Sequence, residues 1–323
     1  MDGDGLIYGC LLDGEGGGRT YGWEDVPDWS PDQGVLWLHF EYVNERVQSW
    51  FYNQSQLEPL VIEALLMEEN RPRASMINDE LLIALRGVNL SPGSNPEDMV
   101  GIRVWSDGQR IISTRKRRLL SAADIYRALE RGEGPRSAGE FLVRLTGGLI
   151  ERMQDTIEQT EDQVAAIEDM ILATESYALR TSISSLRREV IALRRYLAPQ
   201  REAMLQLQTF KVKWVSSNDR QALREVADHL TRYVEELDSV RDRAAVAQEE
   251  LANRLAEQMN KRMYVLSLVA AIFLPLGFLT GLLGINVGGI PGAENSWSFW
   301  VFVVMLLIVV LMQFLIFKKK NWL

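Results

Sequence analysis

Met263–Ile285 reads MYVLSLVAAIFLPLGFLTGLLGI, and Trp300–Phe317 reads WVFVVMLLIVVLMQFLIF. The first run has 23 residues and the second 18, with no charge in either. About 20 apolar residues cross the hydrocarbon core of a bilayer as a helix. Within that core every backbone N–H and C=O must find a partner without water, which a helix provides along its own length. The two runs therefore predict a transmembrane helical hairpin. Nothing else in the chain is apolar enough to span, so the fold is read as a large water-facing body on a two-helix foot.

The basic residues orient the hairpin. Lys261 and Arg262 precede the first run, Lys318, Lys319 and Lys320 follow the second, and the connecting loop has no Lys or Arg. Basic residues stay on the cytoplasmic side, so both termini are expected there and the loop outside. Trp297, Trp300 and Trp322 lie near the span ends, where amphipathic rings favour the interface. The chain carries a net charge of −9. Residues 263–323 hold three lysines and one acid, Glu294, so residues 1–262 hold −11. That balance argues against a nucleic-acid partner, which calls for a basic face, and suits attraction of cations. Met1–Gly5 lacks a basic segment followed by an apolar one, so no cleaved signal is expected. Cys10 is the single cysteine, which excludes an intrachain disulfide.

Working back from the membrane, Asp219–Leu274 has neither Gly nor Pro over 56 residues. Continued to Gly284, this helix is about 100 Å long at 1.5 Å per residue. Pro275 removes one backbone donor and should bend it inside the bilayer. Val226, Leu230, Tyr233, Leu237, Val240, Ala244, Ala247 and Leu251 recur at alternating spacings of four and three, a coiled-coil-like seam that needs a partner helix. Leu149–Ala198 is also free of Gly and Pro, with Pro199 as punctuation and a turn near Ser216-Ser217-Asn218.

Residues 1–118 read as mixed α/β. Val35–Tyr42, Ser75–Leu85, Met99–Trp105 and Gln109–Thr114 have strand character, and Leu57–Met67 reads as helix. Asp107-Gly108 is a hairpin turn signal. Ser121–Asp124 and Ser137–Glu140 resemble helix capping boxes, separated by the break Gly132-Glu133-Gly134-Pro135. The predicted fold class is an α+β cytoplasmic domain with long coiled-coil-like helices and a C-terminal two-helix hairpin. Its expected segments are an α/β domain at 1–118, a long-helix stalk at 119–262 and a pore-lining span at 263–285. An outer loop at 286–299, a second span at 300–317 and a basic tail at 318–323 complete it.

Chemistry points to ion movement. Asp228, Glu235, Asp242 and Glu249 lie seven residues apart, on one line of the long helix and roughly opposite the apolar seam. The same face continues through Asn253, Ala256, Asn260, Met263, Ser267, Ala270, Leu274, Phe278 and Gly281, with Leu266 and Gly277 as near neighbours. Four acids on a helix ordinarily mark a solvated surface. Here the face enters a membrane. Two spans cannot enclose a water path, so conduction requires several copies around an axis, each acid then becoming a ring of carboxylates. Charge rings concentrate cations, and apolar constrictions gate by dewetting.

The segment Leu274-Pro275-Leu276-Gly277-Phe278-Leu279-Thr280-Gly281-Leu282-Leu283-Gly284-Ile285-Asn286 resembles the signature of the CorA superfamily of divalent-cation transporters. The family pattern ends in Gly-Met-Asn at the outer pore mouth. Ile285 replaces the Met, and Leu283 stands where CorA itself usually has Tyr. These departures, with Val287-Gly288-Gly289-Ile290-Pro291-Gly292, are similar to the zinc-transporter branch, ZntB. Trp37-Leu38-His39, Arg71-Pro72-Arg73, Ile112-Ser113-Thr114-Arg115 and Arg194-Arg195-Tyr196-Leu197-Ala198-Pro199-Gln200-Arg201 also look ZntB-like, as does the terminal Trp322-Leu323.

The resemblance implies a homopentameric funnel in the bacterial inner membrane, in contact with lipid. The first span lines the pore and the second forms an outer ring. Gly284, Ile285 and Asn286 would form the filter that admits the ion. Neutral amide and backbone oxygens hold a small dication through its water shell rather than strip it. Asn260 would act at the inner end, with Met263, Leu266, Ala270 and Leu274 as constrictions. The resemblance also implies zinc as the transported substrate, protons as the coupling ion and no cofactor. Tight zinc sites use Cys, His or carboxylates in tetrahedral sets, and the spans contain none. His229, beside Asp228, is the better metal-ligand candidate of the two histidines, the other being His39. No phosphate-binding Gly-Lys-Ser/Thr loop or hydrolytic constellation is present, so an enzyme is not expected. Two readings compete with zinc transport: a CorA-type magnesium or cobalt channel, and a membrane-tethered scaffold or sensor.

Overall fold

A computed structural model describes residues 4–68, 71–173, 178–284, 290, 292 and 294–320. The chain forms two compact units, Met1–Glu249 and Glu250–Leu323.

The first unit is built on a seven-stranded sheet. Its strands are β1 (Leu6–Leu12), β2 (Gly18–Thr20), β3 (Leu36–Glu41), β4 (Arg73–Ile77), β5 (Glu80–Gly87), β6 (Val100–Ser106) and β7 (Arg110–Arg115), in the order β2-β1-β3-β7-β6-β5-β4. All neighbours are antiparallel except β3 and β7, which run parallel with Leu38 opposite Ile112. Helices α1 (Glu45–Asn53) and α2 (Pro59–Leu66) follow β3, and α3 (Leu120–Glu130) and α4 (Ala138–Glu151) follow β7.

Strand β3 shows why both faces are covered. Side chains alternate across a strand, so Leu36, Leu38 and Phe40 fall on one face and Trp37 and His39 on the other. The first set joins Trp50, Phe51, Val61 and Leu65 of α1 and α2 in one apolar cluster. On the other face Trp37 packs on Phe141 of α4 with ring centroids 4.9 Å apart. The stretch Ser75–Leu85 is two strands rather than one. Asn78 and Asp79 take φ of 49° and 69° and turn the chain back, pairing Ile77 with Glu80. Such primed turns suit the strand twist and tolerate Asn and Asp. The expected Asp107-Gly108 turn joins β6 to β7. Gly108 sits at φ 91°, and a Cβ there would lie 2.4 Å from the Trp214 ring.

Three long helices complete the unit: α5 (Gln154–Ala173), α6 (Ala178–Thr209) and the beginning of α7 (Ser217–Gly284). Pro199 sits inside α6 rather than ending it. Gln200, fully buried, holds α6 to β5: its Oε1 accepts from the Arg86 N–H at 2.6 Å and its Nε2 donates to the Arg86 carbonyl at 3.0 Å. Ser216 caps α7, its Oγ accepting from the Asp219 N–H at 3.1 Å while the Asp219 carboxylate accepts from Ser216 N at 3.1 Å. Ser137 caps α4 in the expected way, accepting from the Glu140 N–H. Ser121 does not cap α3, which begins at Leu120 without a side-chain cap.

The seam on α7 is present, with two of its eight positions shifted by one residue. Leu230, Leu237, Val240, Ala244, Ala247 and Leu251 are buried as expected, whereas Ala227 and Val234 are buried in place of the half-buried Val226 and Tyr233. Small Ala227 allows close approach, and the Tyr233 hydroxyl keeps its ring near solvent.

The second unit holds the C-terminal part of α7 and α8 (Ser298–Lys319). These are the two helices long and apolar enough to cross a membrane among the described residues. Lys318 and Lys319 occupy the last turn of α8, where cations complement the helix dipole.

Candidate ion pathway

All the described residues of the expected pathway lie on α7. Asp228, His229, Glu235, Asp242 and Glu249 are exposed in the first unit. Asp242 is ion-paired with its neighbour Arg241 at 2.9 Å. The inner face of the same stretch is fixed by ion pairs: Arg194 of α6 holds Asp238 at 2.5 Å, and Arg243 holds Glu168 of α5 at 2.5 Å. The Arg243 contact draws the Glu168 carboxyl below its ordinary range. Glu236, facing α5, is raised instead, by burial and then by Glu161 nearby. The acids thus divide into an inner set engaged with neighbouring helices and an outer line presented to solvent.

Neither histidine belongs to a metal cluster: among the described residues no three or more His, Cys, Asp and Glu side chains gather to hold an ion. His39 is a core residue. Its Nδ1 lies 2.8 Å from Ser113 Oγ, which also accepts from Trp37 Nε1 at 2.9 Å. Burial, with Arg115 nearby, pushes His39 down to about 3, so it is neutral at physiological pH. Burial likewise pushes the Cys10 thiol up to about 11, which keeps it protonated and inert.

In the second unit Asn260, Met263, Leu266, Ser267, Leu274, Phe278, Gly281 and Gly284 are exposed, and Ala270 is half-buried. Gly277, Gly281 and Gly284 have no neighbouring atoms within contact distance of a notional Cβ. Ile285 and Asn286, the centre of the expected filter, lie outside the described residues.

Pro275 lies within α7, and its missing N–H deprives the Ala271 carbonyl of its helical partner. Gln313 of α8 donates its Nε2–H to that carbonyl at 3.1 Å. The bilayer core offers no water to pair that carbonyl, so a donor from the neighbouring helix is favoured there. Gln313 is the one polar side chain in the run Trp300–Phe317. Sequence reasoning passed over it, although a lone glutamine in an apolar span and a proline in its neighbour were both readable. Thr280 is satisfied locally, its Oγ donating to the Leu276 carbonyl at 2.9 Å.

The arrangement is a pair of apolar helices joined by the Gln313–Ala271 contact, the first continuous with a helix whose outer face is acidic. Residues 32–319 match the CorA-like Mg2+ transporter protein family. The chain belongs to the CorA family. It is 41% identical to the divalent cation transporter CmaX of Pseudomonas aeruginosa over 99% of this chain and 97% of that protein. It is 36% identical to the zinc transport protein ZntB of Yersinia enterocolitica over 98% of this chain and 96% of that one. The solved full-length CmaX structure superposes with a TM-score of 0.86 at 39% identity, covering 100% of this chain and 99% of that one. CorA-family proteins are ion transporters rather than enzymes, so the expected exclusion of enzymatic function holds. Membership makes this chain a divalent-cation transporter, its ions substrates rather than cofactors, with α8 and the end of α7 as its membrane helices.

Proposed function

We propose that the chain is a zinc transporter of the inner membrane, working as a homopentamer and taking up the ion with a proton gradient. The observation that carries the reading is the helix Ser217–Gly284, in which one face changes from acidic to neutral polar to apolar to small. Asp228, Glu235, Asp242 and Glu249 concentrate cations, with His229 among them as a further ligand. Met263, Leu266, Ser267, Ala270, Leu274, Phe278 and Gly281 line the narrow part below a filter of Gly284, Ile285 and Asn286. The lysines and arginines at the span ends support cytoplasmic termini.

Two features support several copies around an axis. The large apolar side chains of the second unit are mostly exposed in the single chain, among them Leu266, Leu274 and Phe278. Gly277 and Gly281, four apart with open space above both, suit close approach of another helix. Zinc rests on the kinship with proteins named zinc transporters and on Ile285 and Leu283 in the pore signature. With no Asp, Glu, His, Lys or Arg in either span, the proton-responsive groups of this proposal lie on the acidic face of α7.

Flux into proteoliposomes tests it, comparing the wild type with Asn286→Ala. We expect zinc uptake that rises with an imposed proton gradient, resists excess magnesium and falls at least tenfold in the variant. Gradient-independent flux blocked by magnesium would move the protein to a magnesium-type channel. Flux of no divalent ion would favour a tethered scaffold.

A further inference from the structure

Two arginine-rich stretches far apart in sequence meet in the first unit. Arg71, from Arg71-Pro72-Arg73, and Arg194, Arg195 and Tyr196, from α6, line a cavity of about 770 Å3 together with Arg86 of β5 and Arg241 of α7. Five guanidinium groups surround it, and no carboxylate is among its described lining residues. Asp238 is the shared counter-charge, 2.5 Å from Arg194 and 3.0 Å from Arg241. Arg71 and Arg195 make no ion pair among the described residues. Arg86 lies 4.1 Å from the Tyr196 ring centroid and Arg195 lies 5.5 Å from it. This concentration of positive charge stands in a segment, residues 1–262, that is otherwise strongly acidic.

We propose that this cavity binds a small phosphate-bearing polyanion on the water-facing side of the protein. Guanidinium forks match phosphate oxygens two at a time, and several around one hollow favour a multivalent anion over a single charge. The volume falls within the range of small-ligand sites, about 300–1,000 Å3. Concavity is what selects a small ligand here, since an acidic protein surface would meet a flat basic patch more readily. A bound polyanion competes with Asp238 for Arg194 and Arg241. It therefore loosens the α6–α7 contact on the helix that continues into the membrane segment. The cavity meets the proposed acidic line only through Arg241, which pairs with Asp242, and the proposal does not depend on which cation is carried.

The test is titration calorimetry on the full-length protein in detergent, with magnesium-free pyrophosphate and ATP as probes, at low and moderate salt. Saturable binding is expected, weakening with salt and at least tenfold weaker in Arg71→Ala/Arg195→Ala. Both side chains are exposed, so the variant should keep the wild-type unfolding temperature and oligomer size. Equal affinities would assign recognition to the phosphates alone, and tighter ATP to a nucleotide; either supports the site. Three results overturn it. Neither probe binds at millimolar concentration, the double variant binds undiminished, or the variant dissociates the oligomer, which would make these arginines a subunit contact.

Discussion

The two compact units solve the same problem, hiding apolar surface, in opposite ways. In Met1–Glu249 the apolar side chains are buried by the chain itself: Trp37, Phe40, Phe51 and Phe141 are at most 1% exposed. In Glu250–Leu323 the large apolar side chains face outward, with Leu266 at 70% and Phe278 at 68%. The first unit matches polar groups in many pairs, such as Arg194–Asp238 and Arg243–Glu168. In the second, a side-chain hydrogen bond from Gln313 to the Ala271 carbonyl joins the two helices. The first unit carries its apolar core within one chain, whereas the second leaves its large apolar side chains facing outward, as membrane helices do.

A matched pair of leucines gives the largest expected contrast. Leu237 on α7 is fully buried, so Leu237→Ala should cost about 2–5 kcal/mol by emptying a packed site. Leu266→Ala on the same helix should change stability by about 0.5 kcal/mol or less while altering divalent-cation flux. Chemical denaturation followed by circular dichroism, beside flux, measures both. A large stability loss at Leu266 with unchanged flux would break the contrast.

Acid separates the units next. His39 is held neutral with its value near 3, against about 6.5 in an unfolded chain. Between these values the unfolded state binds the extra proton. This contribution is therefore complete above pH 6.5 and is lost as pH falls toward 3. From pH 7 to pH 5 the first unit should lose about 2 kcal/mol. His39→Gln should remove that part of the pH dependence in denaturant titrations, while helix content of the spans should not follow it. A slope unchanged in the variant would show that His39 is not its source.

Gln313 gives a smaller effect confined to the second unit. Gln313→Leu leaves the Ala271 carbonyl unpaired and should destabilise the hairpin by about 1 kcal/mol, the usual scale of interhelical hydrogen bonds in membranes. Gln313→Leu/Pro275→Ala should recover most of that loss, because the restored N–H pairs the carbonyl within α7. Thermal unfolding in detergent reads both, and failure of the double variant to recover would mean that Gln313 acts elsewhere.

The same contrast explains what the sequence let one read. The spans were legible because hydrophobic runs of 23 and 18 residues leave few alternatives. Strand β3 was legible from its aromatic and aliphatic run. The β4–β5 hairpin was read as one strand because Asn78-Asp79 lacks the glycine that usually marks such a turn. Strands β1 and β2 carried too little alternation beside Gly14–Gly18 to be seen. The seam of α7 was placed one position off at Val226 and Tyr233, since periodicity cannot choose between a small Ala227 and a neighbouring valine. Pro199 looked like a stop, yet Gln200 anchors α6 to Arg86 and the helix continues. The Arg71–Arg195 cavity could not be read at all, because its parts are brought together only by the sheet edge and α6.

The smallest effect concerns the outer acids. Asp228, Glu235, Asp242 and Glu249 are exposed, and three of them make no ion pair among the described residues. They contribute little to packing, so replacing all four by Asn or Gln should leave the unfolding temperature within a few degrees. If they form charge rings, the same variant should take up zinc several-fold more slowly at low ionic strength. The deficit should close near 1 M salt, where the screening length is about 3 Å. A deficit that persists in high salt would mean that the carboxylates bind the ion directly instead of attracting it from a distance. No deficit at any salt would make the line an ordinary solvated face. The acids would then belong to the first unit's surface alone, and the ion path would begin at Asn260.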